Sequence, residues 1–397
     1  MKILMLTPYL PYPLLSGGQT RSYNLIKNLS KKHEITLYSL IKNESERNYI
    51  SELKKFCKKV SVFKRSQTPW TFRNITLAGF GPYPFLVIRN LVQNEKEAVK
   101  EELEKEKFDL IHAETFYVMP HIPKTKIPIL LVEQTVEYLV YKHYVEKRAQ
   151  IFLRPLMWID LLKLKFWETY YWKQAKKVVA MSDSDRQEMR QLSPGLDIDV
   201  VPNGIDMAYF SEKKRSYHEP PKVLYVGNFS WLQNIEAVEI LVKVVWPLIK
   251  KEVPKAKLWI VGMNMTEEIR SLGKRKDIEI SEGIPDIRDA YNNAGVLVTP
   301  IEGPGGTRLK ILEAMASALP VVTTPVGAEG LGVTDGKEVL IMKDYKGLAK
   351  SAVRVLKSLR IAGELGKQGV RFVDENYSWE KNSTLLDKIY KEIVYVK

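Results

Sequence analysis

The chain has 397 residues, 45% hydrophobic and 27% charged, which is the balance of a soluble globular protein too long for one ordinary core. Lysine and arginine number 61 against 47 acidic residues, a net charge of +14, and the first 200 residues hold +10 of it. One cysteine, Cys57, excludes an internal disulfide and a cysteine-rich zinc site.

The charge asymmetry favours an anionic partner, or else marks only a lysine-rich solvated surface. No apolar run approaches the ~18–20 residues of a spanning helix. Pro8, Pro11 and Pro13 break the apolar start too early for a signal peptide, so the expected location is cytoplasmic.

Strand-like and helical stretches alternate almost throughout. In the first half the pattern predicts strands at 2–7, 34–39, 60–63, 110–112, 129–132 and 177–181. Helices are predicted at 20–30, within 45–57, at 96–104 and at 155–175. A loop-rich segment, 202–217, is the candidate linker. The second half restarts with a strand at 223–227 and a helix at 233–250. Strands at 256–261, 278–280, 296–298 and 321–324 follow, and the last helix spans 380–395. The fold class is α/β, with two Rossmann-like doubly wound parallel sheets. The predicted boundaries are 1–200 and 201–378.

Early in the chain, Ser16-Gly17-Gly18-Gln19-Thr20 separates the first strand from its helix, as a phosphate seat or a simple turn with a helix cap. Its spacing fits neither the dinucleotide fingerprint nor a P-loop. Asp109-Leu-Ile-His112-Ala-Glu114 puts a histidine and a carboxylate at a strand end, where they serve as a base, bond a substrate hydroxyl, or simply hold structure. The long helix with Trp158, Phe166, Trp167, Tyr170, Tyr171 and Trp172 reads as packed, its lysines reaching outward; a membrane-surface helix is the alternative. Asp183-Ser-Asp185 after Ser182 reads as a helix cap rather than a metal motif. Pro202-Asn203-Gly204 reads as a turn. No His/Asp/Glu set has metal-ligand spacing, and nucleic-acid signatures are missing.

The most informative stretch is 296–324. A short apolar strand leads into Gly303, Pro304, Gly305 and Gly306, then into a helix predicted at 308–318 and stopped by Pro320. A helix that opens beside glycines presents unpaired N–H groups and a partial positive charge to a phosphate. At helical spacing Gly306, Lys310, Glu313 and Ser317 share one face, with Leu309 and Leu312 towards the other. A lysine and a glutamate together above a glycine turn can hold a nucleotide diphosphate by its phosphates and its ribose hydroxyls. The plainer reading is a solvent-facing Lys–Glu pair.

These residues resemble the retaining glycosyltransferases of family 4, which have the GT-B fold. The likeness covers nearly the whole chain: Ser16-Gly17-Gly18, Val201-Pro-Asn-Gly-Ile-Asp206, Leu224-Tyr-Val-Gly-Asn228, 305–322, Gly327-Ala-Glu-Gly-Leu331 and Tyr377-Ser-Trp379. Gly306-Thr-Arg-Leu-Lys-Ile-Leu-Glu-Ala-Met315 is the most specific piece. Glu133-Gln-Thr-Val-Glu137 and Gly227-Asn-Phe-Ser-Trp231-Leu-Gln-Asn234 look like a subgroup tied to surface polysaccharide and exopolysaccharide assembly.

The resemblance implies two domains facing across a cleft, with residues 379–397 as a helix crossing back to the first. It also implies a nucleotide-sugar donor as co-substrate, with no other cofactor and no metal. Glu313 would hold the ribose; Gly17, Gly18, Gly305, Gly306 and Thr307 would face the phosphates, with Asn203 and Asn228 in the same donor set. Three departures stand out. The family often has a glutamate where Gly305 stands, an arginine and a lysine where Asn228 and Gln233 stand, and a histidine near the place of Glu114. Arg308 and Lys310 are therefore the expected cations for the leaving diphosphate, and Glu302 is a candidate for the missing carboxylate.

The acceptor, lipid-linked or saccharide, is expected on the basic first domain near His112, Glu114, Glu137 and the aromatic 67–88 loop. Peripheral contact with an anionic membrane would suit that domain, and nucleic acid is not an expected partner. The alternatives are a catalytically impaired nucleotide-sugar binder and a nucleotide-sugar epimerase that uses His112 and Glu114.

Overall fold

A computed structural model describes residues 1–66, 68, 70–213, 215–216 and 219–395. Two compact α/β units are present: Met1–Asn203 joined by the stretch from Trp379 onward, and Gly204–Ser378.

The first unit holds seven strands: β1 (Lys2–Thr7), β2 (Glu34–Ile41), β3 (Lys59–Lys64), β4 (Leu110–Glu114), β5 (Ile129–Val132), β6 (Lys177–Ala180) and β7 (Ile198–Val200). All pair in parallel, in the order β3-β2-β1-β4-β5-β6-β7. β1, β2 and β4 are buried almost end to end, as strands covered by helices on both faces must be. The helix Trp379–Tyr395 completes this core: Trp379, Leu386, Ile389 and Tyr390 pack with Ile3, Met5 and Leu25. Its Asp387 accepts from His33 Nε2 at 2.8 Å and Lys391 Nζ at 2.9 Å.

The second unit holds β8 (Lys222–Asn228), β9 (Lys257–Met263), β10 (Ile278–Glu282), β11 (Val296–Thr299), β12 (Val321–Thr323) and β13 (Leu340–Ile341). They form a parallel sheet in the order β10-β9-β8-β11-β12-β13. In each sheet the order reverses direction once, between β1 and β4 and between β8 and β11. A parallel sheet opens its ligand crevice at the carboxyl ends of such a strand pair.

The expected strands form, and most extend a residue or two further. β7 and β13 were too short to read. Part of 202–217 is the helix Met207–Glu212, started by Asp206, whose side chain accepts from Tyr209 N at 3.0 Å. The aromatic 67–88 segment is mostly helical rather than a loop, with helices at Phe72–Phe80 and Phe85–Asn90; residues 67 and 69 lie outside the described ones. The stretch within 45–57 is a 3-10 turn, Glu44–Tyr49, with one short helix, Ile50–Leu53. Ser182 caps the helix Asp183–Leu192 by accepting from Asp185 N at 3.1 Å, as expected.

Candidate functional site

The segment after β11 lies at the second unit's switch point. The chain leaves β11 at Thr299, turns through Gly303–Thr307 and enters the helix Leu309–Ala316, with Arg308 as its N-cap residue. The helix is shorter than expected at both ends. Its stop is Ala318 rather than Pro320: Ala318 takes φ +55, and Leu319 N returns to Ala314 O at 2.8 Å, closing the last turn.

Gly305 has a steric reason to lack a side chain. A Cβ there would stand 2.6 Å from Arg308 Nη1 and 3.0 Å from Gln233 Nε2. The volume that the family's usual glutamate would enter is filled by a guanidinium and an amide. Arg308 is 7% exposed, and its Nη2 donates to Gly303 O at 2.8 Å, fastening the turn to the helix start. Glu302 is exposed and accepts from Tyr345 Oη, so its side chain is engaged on the rim.

Lys310 and Glu313 are half-buried, not solvent-facing. Lys310 Nζ donates to Asn234 Oδ1 at 2.5 Å and to Tyr225 Oη at 3.2 Å. Burial lowers its pKa to about 7; Arg308 pushes the same way and Glu313 opposes. Asn234 in turn donates from Nδ2 to Asn228 O at 2.7 Å, and Asn228 Oδ1 accepts from Ser230 N and from Asn264 Nδ2, both at 3.0 Å. Asn228 thus braces the loop after β8, and Lys310 ties its own helix to Tyr225 of β8 and to Asn234 in the helix Leu232–Ile240. Glu313, one turn deeper, accepts from Tyr291 Oη at 2.7 Å. Burial raises its carboxyl above the ordinary value, against the Tyr291 hydrogen bond and Lys310. Of the expected shared face only Lys310 and Glu313 lie within the helix, since Gly306 precedes it and Ser317 is its C-cap.

In the first unit His112 lies within β4, not beyond it, and is fully buried with Glu114. His112 Nε2 is 3.1 Å from Glu114 Oε1, and Nδ1 bonds Tyr390 Oη. Gln134 Nε2 donates to Glu114 Oε2 at 2.8 Å and also to Tyr9 Oη. Burial works to raise the Glu114 carboxyl, but His112, Arg21 and Gln134 together hold it below the usual value.

Gly17 and Gly18 are already inside the helix Gly17–Leu29, capped by Ser16. A Cβ at Gly18 would overlap Tyr9 Oη and Gln134 Oε1, so this glycine is needed for close packing. Asn203 is buried; its side chain accepts from Arg21 Nη1 at 3.1 Å and its carbonyl from Asn382 Nδ2 at 3.0 Å. Glu137 opens the helix Glu137–Lys147 and is buried; desolvation raises its carboxyl to about 7 against the opposing pull of Arg89.

Around Glu313, Arg308 and Lys310 the structure therefore gathers Gly305, Gln233, Asn234, Tyr225 and Tyr291. Separately it gathers His112, Glu114, Gln134 and Tyr9. Tyr225 and Tyr291 escaped the sequence reading because a tyrosine in a strand or helix interior reads as core. Asn234 had a signal, its place at the end of the Gly227–Asn234 motif.

Two family models match the chain: Glycosyltransferase Family 4 over residues 15–209 and Glycosyl transferases group 1 over residues 220–358. An uncharacterized protein of the cps region of Klebsiella pneumoniae is 24% identical, covering 98% of this chain and 99% of its own length. Trehalose synthase of Thermococcus litoralis is 23% identical over 72% of this chain and 69% of its own. Among solved structures, sucrose-phosphate synthase of Thermosynechococcus elongatus superposes with a TM-score of 0.74, 18% identity and full coverage of both chains. Anabaena HepE in complex with UDP-glucose gives a TM-score of 0.66 and 14% identity, covering 99% of this chain and 100% of that one. These structural likenesses carry the two-sheet GT-B fold, and the two family models between them take in the strand ends and the glycine turn described above. The chain belongs to the glycosyltransferases of family 4.

Proposed function

We propose that this glycosyltransferase moves a sugar from a nucleotide-diphosphate donor to a hydroxyl acceptor with retention of configuration and without a metal. The observation that carries the reading is the convergence at the β8/β11 switch point. The Gly305–Thr307 turn leads into the N-terminus of the Leu309 helix, Arg308 and Lys310 stand at that helix start, and Glu313 lies one turn deeper. In this reading the turn and the helix dipole seat the diphosphate, and Glu313 accepts from the ribose hydroxyls.

As the glycosidic bond breaks, negative charge grows on the diphosphate while an oxocarbenium-like centre forms. Arg308 and Lys310 stabilise that charge from fixed positions, which is where preorganised groups gain most. Lys310 takes over from the side of the glycine turn the task that Asn228 and Gln233, as neutral residues, leave undone. Glu302, engaged by Tyr345, stays on the rim. His112 and Glu114 act as positioning residues through Gln134 and Tyr9, and Glu137 with its neighbours contributes to the acceptor side.

A role in surface polysaccharide, exopolysaccharide or glycolipid synthesis, with a lipid-linked or saccharide acceptor, is supported by the company the chain keeps. One relative comes from a cps region, and WaaG, a structure with a TM-score of 0.67, is described as involved in lipopolysaccharide biosynthesis. The basic first unit suits a cytoplasmic enzyme working at an anionic membrane face.

A thermal-shift panel of nucleotide sugars tests the donor: a ligand at 100 times its Kd adds ~2.7 kcal/mol of stability. The stabilising donor is then given a candidate acceptor with and without EDTA, and the product anomer is read by NMR. Retained configuration and EDTA-insensitive turnover are expected. Inversion, or loss of turnover that a divalent ion restores, overturns the corresponding part of the reading.

A further inference from the structure

The helix Arg154–Gln174 in the first unit is apolar on two opposite faces. Leu161, Leu164, Tyr171 and Trp172 are buried in the core below it. On the other side Leu156, Ile159, Leu162 and Phe166 follow one another at spacings of three and four, so they form one outward stripe. All four are more than half exposed, and Phe152, in the 3-10 turn just before the helix, extends the stripe at 76% exposure. Lys163 Nζ donates to Ala78 O and Gly81 O, both at 2.8 Å, which sets the end of the helix Phe72–Phe80 alongside; there Phe80 is 96% exposed. Singly exposed apolar residues are ordinary, but a continuous ridge of them marks a surface that something covers.

Charge identifies the occupant. The helix carries Arg154, Lys163, Lys165 and Lys173 against two acids, Asp160 and Glu168. Lys163 is held by the carbonyls just named and Arg154 donates to Ala149 O and Glu146 O, so Lys165 and Lys173 are the cations with charge to offer. Both acids are engaged by the protein: Asp160 accepts from Phe85 N at 2.8 Å, and buried Glu168 accepts from Glu137 N and Tyr138 N at 2.8 and 2.9 Å. A second copy docked on this stripe would bring the lysines of one helix against those of the other, with neither helix offering a free carboxylate to pair them. An anionic lipid surface meets both requirements, taking the apolar side chains below its headgroups and the lysines among its phosphates.

We propose that the stripe from Phe152 to Phe166, with Phe80 beside it, is a membrane-docking surface for bilayers rich in anionic lipid. The inference adds a defined surface to the membrane-facing role read above, and it stands independently of the donor chemistry.

The test is co-sedimentation of the full chain with phosphatidylglycerol-containing vesicles and with pure phosphatidylcholine vesicles. Wild type is expected to bind the anionic vesicles at least tenfold more tightly, and less tightly as salt rises. The triple variant Phe152→Ser, Ile159→Ser, Phe166→Ser is expected to lose at least tenfold with its melting temperature and nucleotide-sugar binding intact. Lys173→Glu is expected to lose severalfold on anionic vesicles alone. The proposal is overturned if wild type fails to sediment with anionic vesicles, if both vesicle types bind equally, or if the triple variant binds as wild type does. It is also overturned if light scattering finds a dimer that the triple variant converts to monomer, because the stripe would then be an interface between copies.

Discussion

Lys310 offers the sharpest chemical prediction. Its ammonium is half-buried between Asn234 and Tyr225, and burial lowers its pKa from the ordinary lysine value to about 7. At pH 8 a group with that pKa carries its proton about one time in ten. A diphosphate placed beside it favours the charged form and draws the proton back. Binding of the donor at pH 8 should therefore take up nearly one proton (~0.9), and at pH 6 almost none. Above pH 7 the affinity should fall about tenfold per pH unit, which is ~1.4 kcal/mol each. Calorimetric titration in two buffers of different ionisation enthalpy measures the uptake directly. A nucleotide sugar is the right probe, because its diphosphate diester has no proton of its own to exchange in this range. Lys310→Met should abolish the uptake and flatten the pH profile. Wild type that binds without proton uptake at pH 8, or a Met variant that keeps the profile, would refute the reasoning. Stability has the matching sign. The folded pKa lies below the unfolded one, so the cost of the buried charge is fully present below pH 7 and fades as pH rises towards 10.5. Chemical denaturation from pH 7 to 9 should thus show a gain that Lys310→Met lacks.

Other outcomes follow from the same geometry. Glu313→Gln should weaken donor binding by ~1.5–3 kcal/mol, roughly 10- to 100-fold, and Tyr291→Phe by about 1 kcal/mol. Both variants should match wild type in binding a donor analogue that lacks the ribose hydroxyls, and an unequal loss there would point away from the ribose. Gly305→Glu, which restores the family's usual carboxylate, should displace Arg308 and Gln233 at a cost of ~1–3 kcal/mol; a variant of unchanged stability with faster turnover would contradict that packing. Gly18→Ala should lower the melting temperature of the first unit through overlap with Tyr9 and Gln134, whereas unchanged melting with weaker donor binding would restore a phosphate role for that turn. Ala318→Gly should raise stability by up to ~1 kcal/mol by relieving a left-handed alanine, read from denaturant midpoints.

Most of the fold was legible because parallel strands covered on both faces need near-continuous apolar runs, and β1, β5 and β11 supply them. What escaped was either very short or was decided by tertiary contact. β13 has two residues, and the helix Leu309–Ala316 ends where Ala318 turns left-handed, a conformation that alanine does not advertise. The glycine turn, Lys310 and Glu313 were visible as a spacing. Sequence alone did not reveal what holds them, since Tyr225, Asn234 and Tyr291 reach the site from β8 and from two other helices. At Gly17-Gly18 the packing adds a reason for glycine that the sequence did not show. A glycine pair before a helix looks like an opening for a ligand, yet at Gly18 the opening is filled by Tyr9 and Gln134.

The decisive measurement is a crystal structure of the chain with the nucleotide sugar that stabilises it most. Diphosphate oxygens are expected on the amides of the Gly305–Thr307 turn, with the Lys310 ammonium within hydrogen-bond reach of them and a ribose hydroxyl on Glu313. Diphosphate bound elsewhere, with Lys310 still on Asn234 and Glu313 bonded only to Tyr291, would contradict it.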